Sequence, residues 1–281
     1  MTDYKKHLKY RTNRSSYATA SNPRLLGLTS VEINPTELCN RTCCFCPRSN
    51  PTIYPNRNLN MNLETAKILR TQLKNSLFDG DINITGFGEP LLNPNILEII
   101  KIFSNDFFTE MVTNGDKIYK GNITIQDIEK TNLNFLIVDC YDNETQTNWF
   151  KENLQRSSIN YAIRNHYHDD SVDKLIKKYG FNNRAGAVYT SNNDGNPCFF
   201  PSYKAIVDWN GDVRLCCNDW LRQQSSFGNI YTTDFSQIWH SAEFSSMRKD
   251  LINGKRTKFK SCKNCDVHGT KLGKSSADLW K

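Results

Sequence analysis

Cys39-Asn40-Arg41-Thr42-Cys43-Cys44-Phe45-Cys46 is the stretch that decides how the rest of this chain is read. Cys39, Cys43 and Cys46 are spaced by three residues and then by two. Thiols this close cannot easily form disulfides with one another, and thiolate is the soft ligand that iron–sulfur cubes use. Cys44 points away if Cys43 and Cys46 face a common metal. Three protein ligands on a four-iron cube leave one iron open to an exogenous ligand. A zinc knuckle is the competing reading, but zinc wants a closed set of four ligands, and no His lies nearby.

The chain around this stretch alternates strand and helix. Ser30–Asn34 reads as the first strand and feeds the cysteine loop. Asn62 is placed to cap a helix in which Ala66, Leu69 and Leu73 recur at helical spacing. Ile82–Thr85 then reads as strand, Asn95–Phe103 as helix, Glu110–Thr113 as the end of the third strand and Ile125–Glu129 as a short helix. Phe135–Asp139 is a continuous apolar run of the kind buried on both faces. Ile159–Ile163 is the fifth strand, followed by a helix over Val172–Lys178, and Arg184–Tyr189 is the sixth strand candidate. Six such units before Cys198 predict a parallel sheet in a partial (β/α)6 barrel, whose chemistry gathers at the C-terminal ends of the strands. The cysteine loop sits at such an end.

This CxxxCxxC loop after a strand resembles the signature of the radical SAM superfamily. The resemblance implies a [4Fe–4S] cluster on Cys39, Cys43 and Cys46, with S-adenosylmethionine (SAM) on the open iron. Gly86-Phe87-Gly88-Glu89-Pro90, after the second strand, is similar to the family's Gly-Gly-Glu motif, with Phe87 in place of one glycine. Gly86, Gly88 and Glu89 are then expected at the SAM methionyl group, where a carboxylate accepts from an ammonium. Asn114, in Thr113-Asn114-Gly115, is expected near SAM as well, although Asn-Gly is also a plain turn signal. Asn165 and His166 are expected along the cofactor edge. Asp139 or Cys140 is a substrate contact or, for Cys140, buried filler. Arg184 is expected near the substrate or the SAM carboxylate, with an ion pair at the barrel rim as its alternative.

Beyond Pro197 the pattern changes. Lys204–Asp208 and Asp212–Cys216 read as strands joined through Asn210-Gly211, a hairpin signal, and two helical stretches follow before Cys262-Lys263-Asn264-Cys265. Cys198, Cys216, Cys262 and Cys265 add up to four thiolates from separated segments, a way to staple a small domain with metal. Zinc suits the CxxC equally. The order resembles the twitch form of the SPASM domain, which implies one auxiliary [4Fe–4S] cluster and so two clusters in all. Cys217 follows a ligand on a presumed strand and is expected to face the other way. The favoured reading is inert filler in the small domain's core; the other is a hydrogen-atom donor at the barrel mouth.

The organisation expected is an arm over residues 1–29, a radical SAM barrel over 30–190 and a small α+β iron–sulfur domain over 191–281. With no apolar leader in Met1–Arg11 and no membrane-length run, the ten cysteines read as reduced, cytoplasmic metal ligands rather than disulfides. The expected activity is that of a radical SAM oxidoreductase. It cleaves SAM reductively, abstracts hydrogen from its substrate and oxidises a small-molecule alcohol, with the auxiliary cluster as electron acceptor. Modification or epimerisation of a ribosomal peptide is the alternative, and the absence of a leader-binding domain before Val31 favours a small molecule. A flavodoxin- or ferredoxin-type donor is expected. The net charge of +7 and the lysines of residues 255–263 leave a non-catalytic nucleic-acid module as the rival of another class, but few aromatics interleave with them and no nucleic-acid motif is present.

Overall fold

The structure is a computed structural model and describes residues 22–166, 182–191 and 195–281. Its centre is one seven-stranded sheet. The strands are β1 (Ser30–Ile33), β2 (Asp81–Ile84), β3 (Phe108–Thr113), β4 (Phe135–Cys140), β5 (Asn160–Asn165), β6 (Lys204–Val207) and β7 (Val213–Arg214), in the order β5-β4-β3-β2-β1-β6-β7. The first six pair in parallel and β7 is antiparallel to β6.

Five of the six expected parallel strands lie within two residues of their predicted limits, and the helices Leu63–Asn75, Ile96–Ser104 and Ile125–Glu129 fill the expected crossovers. Asn62 caps the first of them by accepting from the Thr65 amide. The expected helix at Val172–Lys178 lies outside the described residues, as do residues 1–21 of the arm. The sixth strand is corrected. Arg184–Tyr189 forms a left-handed turn, with φ of 51° at Arg184, 54° at Ala185 and 87° at Gly186, and left-handed residues cannot propagate a strand. The strand that pairs with β1 is instead Lys204–Val207, in the hairpin assigned to the tail. The sheet therefore continues past residue 190, and the Asn210-Gly211 turn hangs β7 on its edge.

Residue alternation gives the two faces of this sheet different jobs. Val31, Ile33, Ile82, Ile84, Met111, Leu136, Val138, Ala205 and Val207 join the main apolar core with the covering helices. Their neighbours in sequence, Glu32, Asn83, Glu110, Asp139 and Lys204, line a cavity on the other face. Glu32, Asn83 and Glu110 stand opposite one another across β1, β2 and β3, and the Lys204 ammonium reaches Glu32 at 2.6 Å. On the same face, further towards β5, Phe135, Ile137 and Ala162 make a small apolar cluster. Among the described residues no helix is long and apolar enough to cross a membrane.

The tail helices Phe235–Trp239 and Ala242–Ile252 close the core from the far side. Arg248 is fully buried with its guanidinium 3.7 Å from the Trp239 ring centre, 3.8 Å from Phe244 and 4.2 Å from Trp280. It donates to the carbonyls of Pro201 and Trp239. Trp239 in turn donates to the Leu26 carbonyl at 3.0 Å, which ties residues 22–29 to the tail. Trp239→Ala should therefore lower unfolding stability by about 3–5 kcal/mol, as truncating a buried aromatic does. The denaturation midpoint read by circular dichroism checks this, and an unchanged midpoint would show that these helices share no stability with the sheet.

Candidate functional site

The C-terminal ends of β1 to β5 open into a cavity of about 520 Å³. Its wall includes Cys39, Cys43 and Cys46 from the loop after β1, while Cys44 is exposed. The loop is held at several points. The Asn56 side chain accepts from the Cys39 amide at 2.9 Å and donates to its carbonyl at 3.1 Å. Asn40 and Arg41 both bind Asp116, after β3, and Arg41 also binds Asp142, after β4. Arg48, almost fully buried, donates to the carbonyls of Phe87 and Glu37 and to Asn56. Burial pushes the Cys39 thiol up to about 11 and the Cys43 thiol up to about 12. Thiolates at these positions need metal charge to form, which fits the donor set to a cluster.

The Gly86-Phe87-Gly88-Glu89 segment lies directly beside this loop. An added Cβ on Gly88 would stand 2.2 Å from the Thr36 carbonyl oxygen, and one on Gly86, whose φ is +88°, would stand 2.4 Å from Asn34 Oδ1. The glycines thus admit the chain's own approach to the cysteine loop as well as bordering the cavity. Phe87, where the motif would have glycine, packs edge-on to Trp220 and beside Tyr54, in a small cluster that Cys46 touches.

Glu89 is buried, and its carboxylate accepts from the Leu91 and Asn114 amides and the Thr113 hydroxyl. Burial nevertheless pushes its pKa up to about 7. Such a carboxylate gains from a nearby cation. Asn114 borders the cavity with its amide already given to Asn40. Asn165 also borders it and accepts from Thr147. His166 borders it too and stacks beside Tyr141. Despite burial, Arg164 and His166 hold Asp139 below the usual carboxylate range.

Cys140 is corrected. Its side chain lies in the main core on the opposite face of β4 from Asp139, because consecutive strand residues point to opposite faces. It takes no part in the cavity.

A second cavity lies in the tail, and Cys198, Cys216, Cys262 and Cys265 all border it, with Phe200, Pro201, Leu215, Leu251 and Val267 among its other walls. Burial raises the thiols of Cys198, Cys262 and Cys265, the last to about 11. The neighbouring Cys217 thiol and burial raise Cys216. Four half-buried cysteines around an apolar space are the donor set of a closed cluster. Among the described residues no three metal-ligating side chains converge closely enough to hold a single metal ion.

The two cavities share a wall. Arg184 faces the barrel cavity and Ala185 the tail cavity; Cys217 faces the barrel cavity and Cys216 the tail cavity. The expected opposition of Cys216 and Cys217 is corrected: the residues border different cavities, but both lie beyond the end of β7 at Arg214, off the regular strand, and their thiols lie within hydrogen-bonding reach of each other. The filler reading of Cys217 is corrected, since the residue borders the barrel cavity while its thiol meets that of Cys216. The left-handed turn that aims Arg184 is pinned by buried Asn183, which binds the Asn264 carbonyl and Asp266 of the Cys262–Asp266 segment. Sequence reading missed Glu32, Asn83, Glu110, Lys204, Trp220 and Asn56 as parts of the site. For the first two the signal was present as the strict polar–apolar alternation of Ser30–Asn34 and Asp81–Thr85.

Residues 198–266 match the SPASM family, an iron–sulfur cluster-binding domain. Over 252 residues, 86% of this chain and 94% of the relative, the sequence is 29% identical to an S-adenosyl-L-methionine-dependent 2-deoxy-scyllo-inosamine dehydrogenase of Niallia circulans. The fold superposes on the crystal structure of BtrN in complex with AdoMet and 2-DOIA with a TM-score of 0.71 and 25% identity, covering 88% of this chain and 96% of that one. An open conformation of BtrN matches over the same shares with a TM-score of 0.63. Because these likenesses run through barrel and tail alike, the chain is placed among the radical SAM enzymes that carry a SPASM-type iron–sulfur domain.

Proposed function

We propose that this enzyme oxidises a secondary alcohol of a small, polyhydroxylated amine of the aminocyclitol class to the ketone. The observation that carries the reading is the wall between the cavities, where the consecutive residues Arg184 and Ala185, and again Cys217 and Cys216, border the barrel cavity and the tail cavity respectively. A substrate in the barrel cavity then lies close enough to the four-thiol site to pass it an electron. The cavity volume, about 520 Å³, suits a small molecule, and its polar row of Glu32, Asn83 and Lys204 suits hydroxyl and amino groups. The aminocyclitol dehydrogenase relative supports the same class.

In this reading Cys39, Cys43 and Cys46 hold the first [4Fe–4S] cluster, and Cys198, Cys216, Cys262 and Cys265 hold the auxiliary one. With SAM bound, the first cluster supplies a 5′-deoxyadenosyl radical that removes a hydrogen atom from the substrate carbon. Glu89 receives the SAM ammonium, and the Gly86–Gly88 backbone, Asn114 and Asn165 border the cofactor. Arg184 faces the substrate oxygen; its buried Nε has no hydrogen-bond partner among the described residues, so an oxygen arriving there satisfies a donor that otherwise costs stability. A cluster held by Cys198, Cys216, Cys262 and Cys265 would take the second electron, and the hydroxyl proton would leave to solvent, which balances the oxidation. Residues 30–190 with β6 bind SAM and substrate, and residues 191–281 supply the auxiliary ligands. Reduced thiols fit a cytoplasmic enzyme served by a flavodoxin- or ferredoxin-type donor.

Cys217 supports a second reading. A thiol at the barrel cavity is placed to return a hydrogen atom to the substrate carbon, which would give an epimer in place of a ketone. Cys217→Ala separates the two: ketone formation survives it, whereas epimerisation stops with SAM cleavage intact and no solvent deuterium enters the product carbon.

Reconstituted protein is expected to hold about eight irons per chain, and Cys39, Cys43 and Cys46 changed together to Ala should leave about four, the content of one cube. Iron analysis and SAM cleavage with dithionite check this; cleavage by the triple variant would show that the first site lies elsewhere.

Glu89→Gln should weaken SAM binding by about 1.5–3 kcal/mol, the usual loss of a charge-assisted hydrogen bond, with iron content unchanged. The same variant has a second signature in the SAM-free protein. The folded carboxyl titrates at about 7, above its ordinary 4.5, so folding takes up a proton between these values. Wild-type stability then falls as pH rises from about 4.5 to 7, by about 3 kcal/mol. Urea unfolding across that range should show the fall in wild type and its loss in Glu89→Gln; parallel pH profiles would mean that the carboxylate is not held in this environment.

A further inference from the structure

Between residues 255 and 274 the chain carries seven cationic side chains and one carboxylate, against a net charge of +7 for all 281 residues. Six of the seven are lysines, and all six are exposed. Lys255 and Lys258 hold Asp250, and Lys274 holds Asp278. Lys260, Lys263 and Lys271 make no ion pair among the described residues. Their positions follow the tail cavity. Lys260 and Lys263 bound the short helix Lys260–Lys263 that carries Cys262. Lys271 follows Gly269, whose backbone lies so close to Cys198 that an added Cβ would stand 2.6 Å from its sulfur. Lys260 and Lys263 thus stand within two residues of Cys262, and Lys263 within two of Cys265, both of which border the four-thiol cavity.

The surface beside the first thiol site differs. Arg41, next to exposed Cys44, is already bound to Asp116 and Asp142, so its charge is neutralised locally. Of the other cations in residues 39–61, Arg48 is buried and Arg57 alone is exposed, against three exposed tail lysines without an ion pair among the described residues, so long-range attraction for an acidic partner concentrates on the tail.

We propose that Lys260, Lys263 and Lys271 form the docking face for an acidic one-electron carrier protein, which takes up from the four-thiol site the electron released by each substrate molecule. The inference rests on the auxiliary-cluster reading of that site. Each turnover delivers one electron there, and the site must lose it to an oxidised carrier, itself reduced by one electron, before the next turnover. A nucleic acid is the weaker occupant, because none of the exposed large apolar or aromatic side chains among the described residues falls between 255 and 274, and strand binding relies on such stacking platforms.

The test uses reconstituted holoenzyme and oxidised holo-flavodoxin as the acidic probe, with affinity measured by titration calorimetry at about 50 and 200 mM salt, a range over which charge-steered contacts weaken strongly. Binding should weaken with salt, and Lys260→Glu/Lys263→Glu and Lys271→Glu should each lower affinity tenfold or more. Arg57→Glu, an exposed reversal beside the first site, should change nothing. Iron content is counted in every variant. Eight irons with undiminished binding in both lysine variants overturns the docking face, as does loss of binding in Arg57→Glu alone or tighter binding of duplex DNA than of flavodoxin. Four irons in the wild type overturns the auxiliary-site reading itself, and the docking inference with it.

Discussion

The Arg222 guanidinium joins the parts of this molecule that would otherwise drift apart. It binds Glu37, in the segment that leads into the cysteine loop, and Asp208, at the end of β6. It donates to the Tyr54 hydroxyl at 2.8 Å and lies 5.0 Å from the centre of the Phe87 ring. Glu37 and Asp208 are both nearly inaccessible, so removing the arginine would leave Glu37 with only the more distant Arg48 as a cationic partner and Asp208 with only Arg214, a destabilising change. Arg222 pays for this position with a left-handed backbone, φ 47°, a conformation that persists only where surrounding contacts hold it.

From that node the geometry of both thiol sites follows. Asn34 donates to Glu37 and Asp208 and accepts from the Phe87 amide, so the end of β1, the end of β6 and the second motif meet at one side chain. Phe87 occupies a place where the family motif would have glycine, and the reason is visible in its neighbours. Tyr54, Trp220 and Arg222 form a socket for the ring, and the socket seats the tail over the barrel. The substitution relative to the motif is a joint between the two parts.

Placing Arg184 and Cys217 at the barrel cavity has a similar origin. Each is adjacent in sequence to a residue of the tail cavity; the turn at Asn183 is held by the Cys262–Asp266 segment, and the Cys216–Asp219 turn by its own backbone bond. A polar bore with Glu32, Asn83 and Glu110 on consecutive strands is expensive to bury unless a ligand or neighbour satisfies it.

The sequence alone determined the elements whose signals are local. Thiol spacing marked Cys39, Cys43 and Cys46, the 3.6-residue period marked Leu63–Asn75, and Asn210-Gly211 marked the hairpin, because each depends on residues within a few positions of one another. Tertiary structure decided what depends on distant partners. Lys204–Val207 became the sixth strand because β1 offered it a ladder, which Arg184–Tyr189, bent left-handed by its bonds to the tail, could not use. Cys140 turned into the core and Asp139 into the cavity once the pairing of β4 set which face each would take. Cys217 reached the barrel mouth because the tail folds back over the sheet, a placement set by Arg222 and the Phe87 socket, whose members stand up to 168 residues apart in sequence.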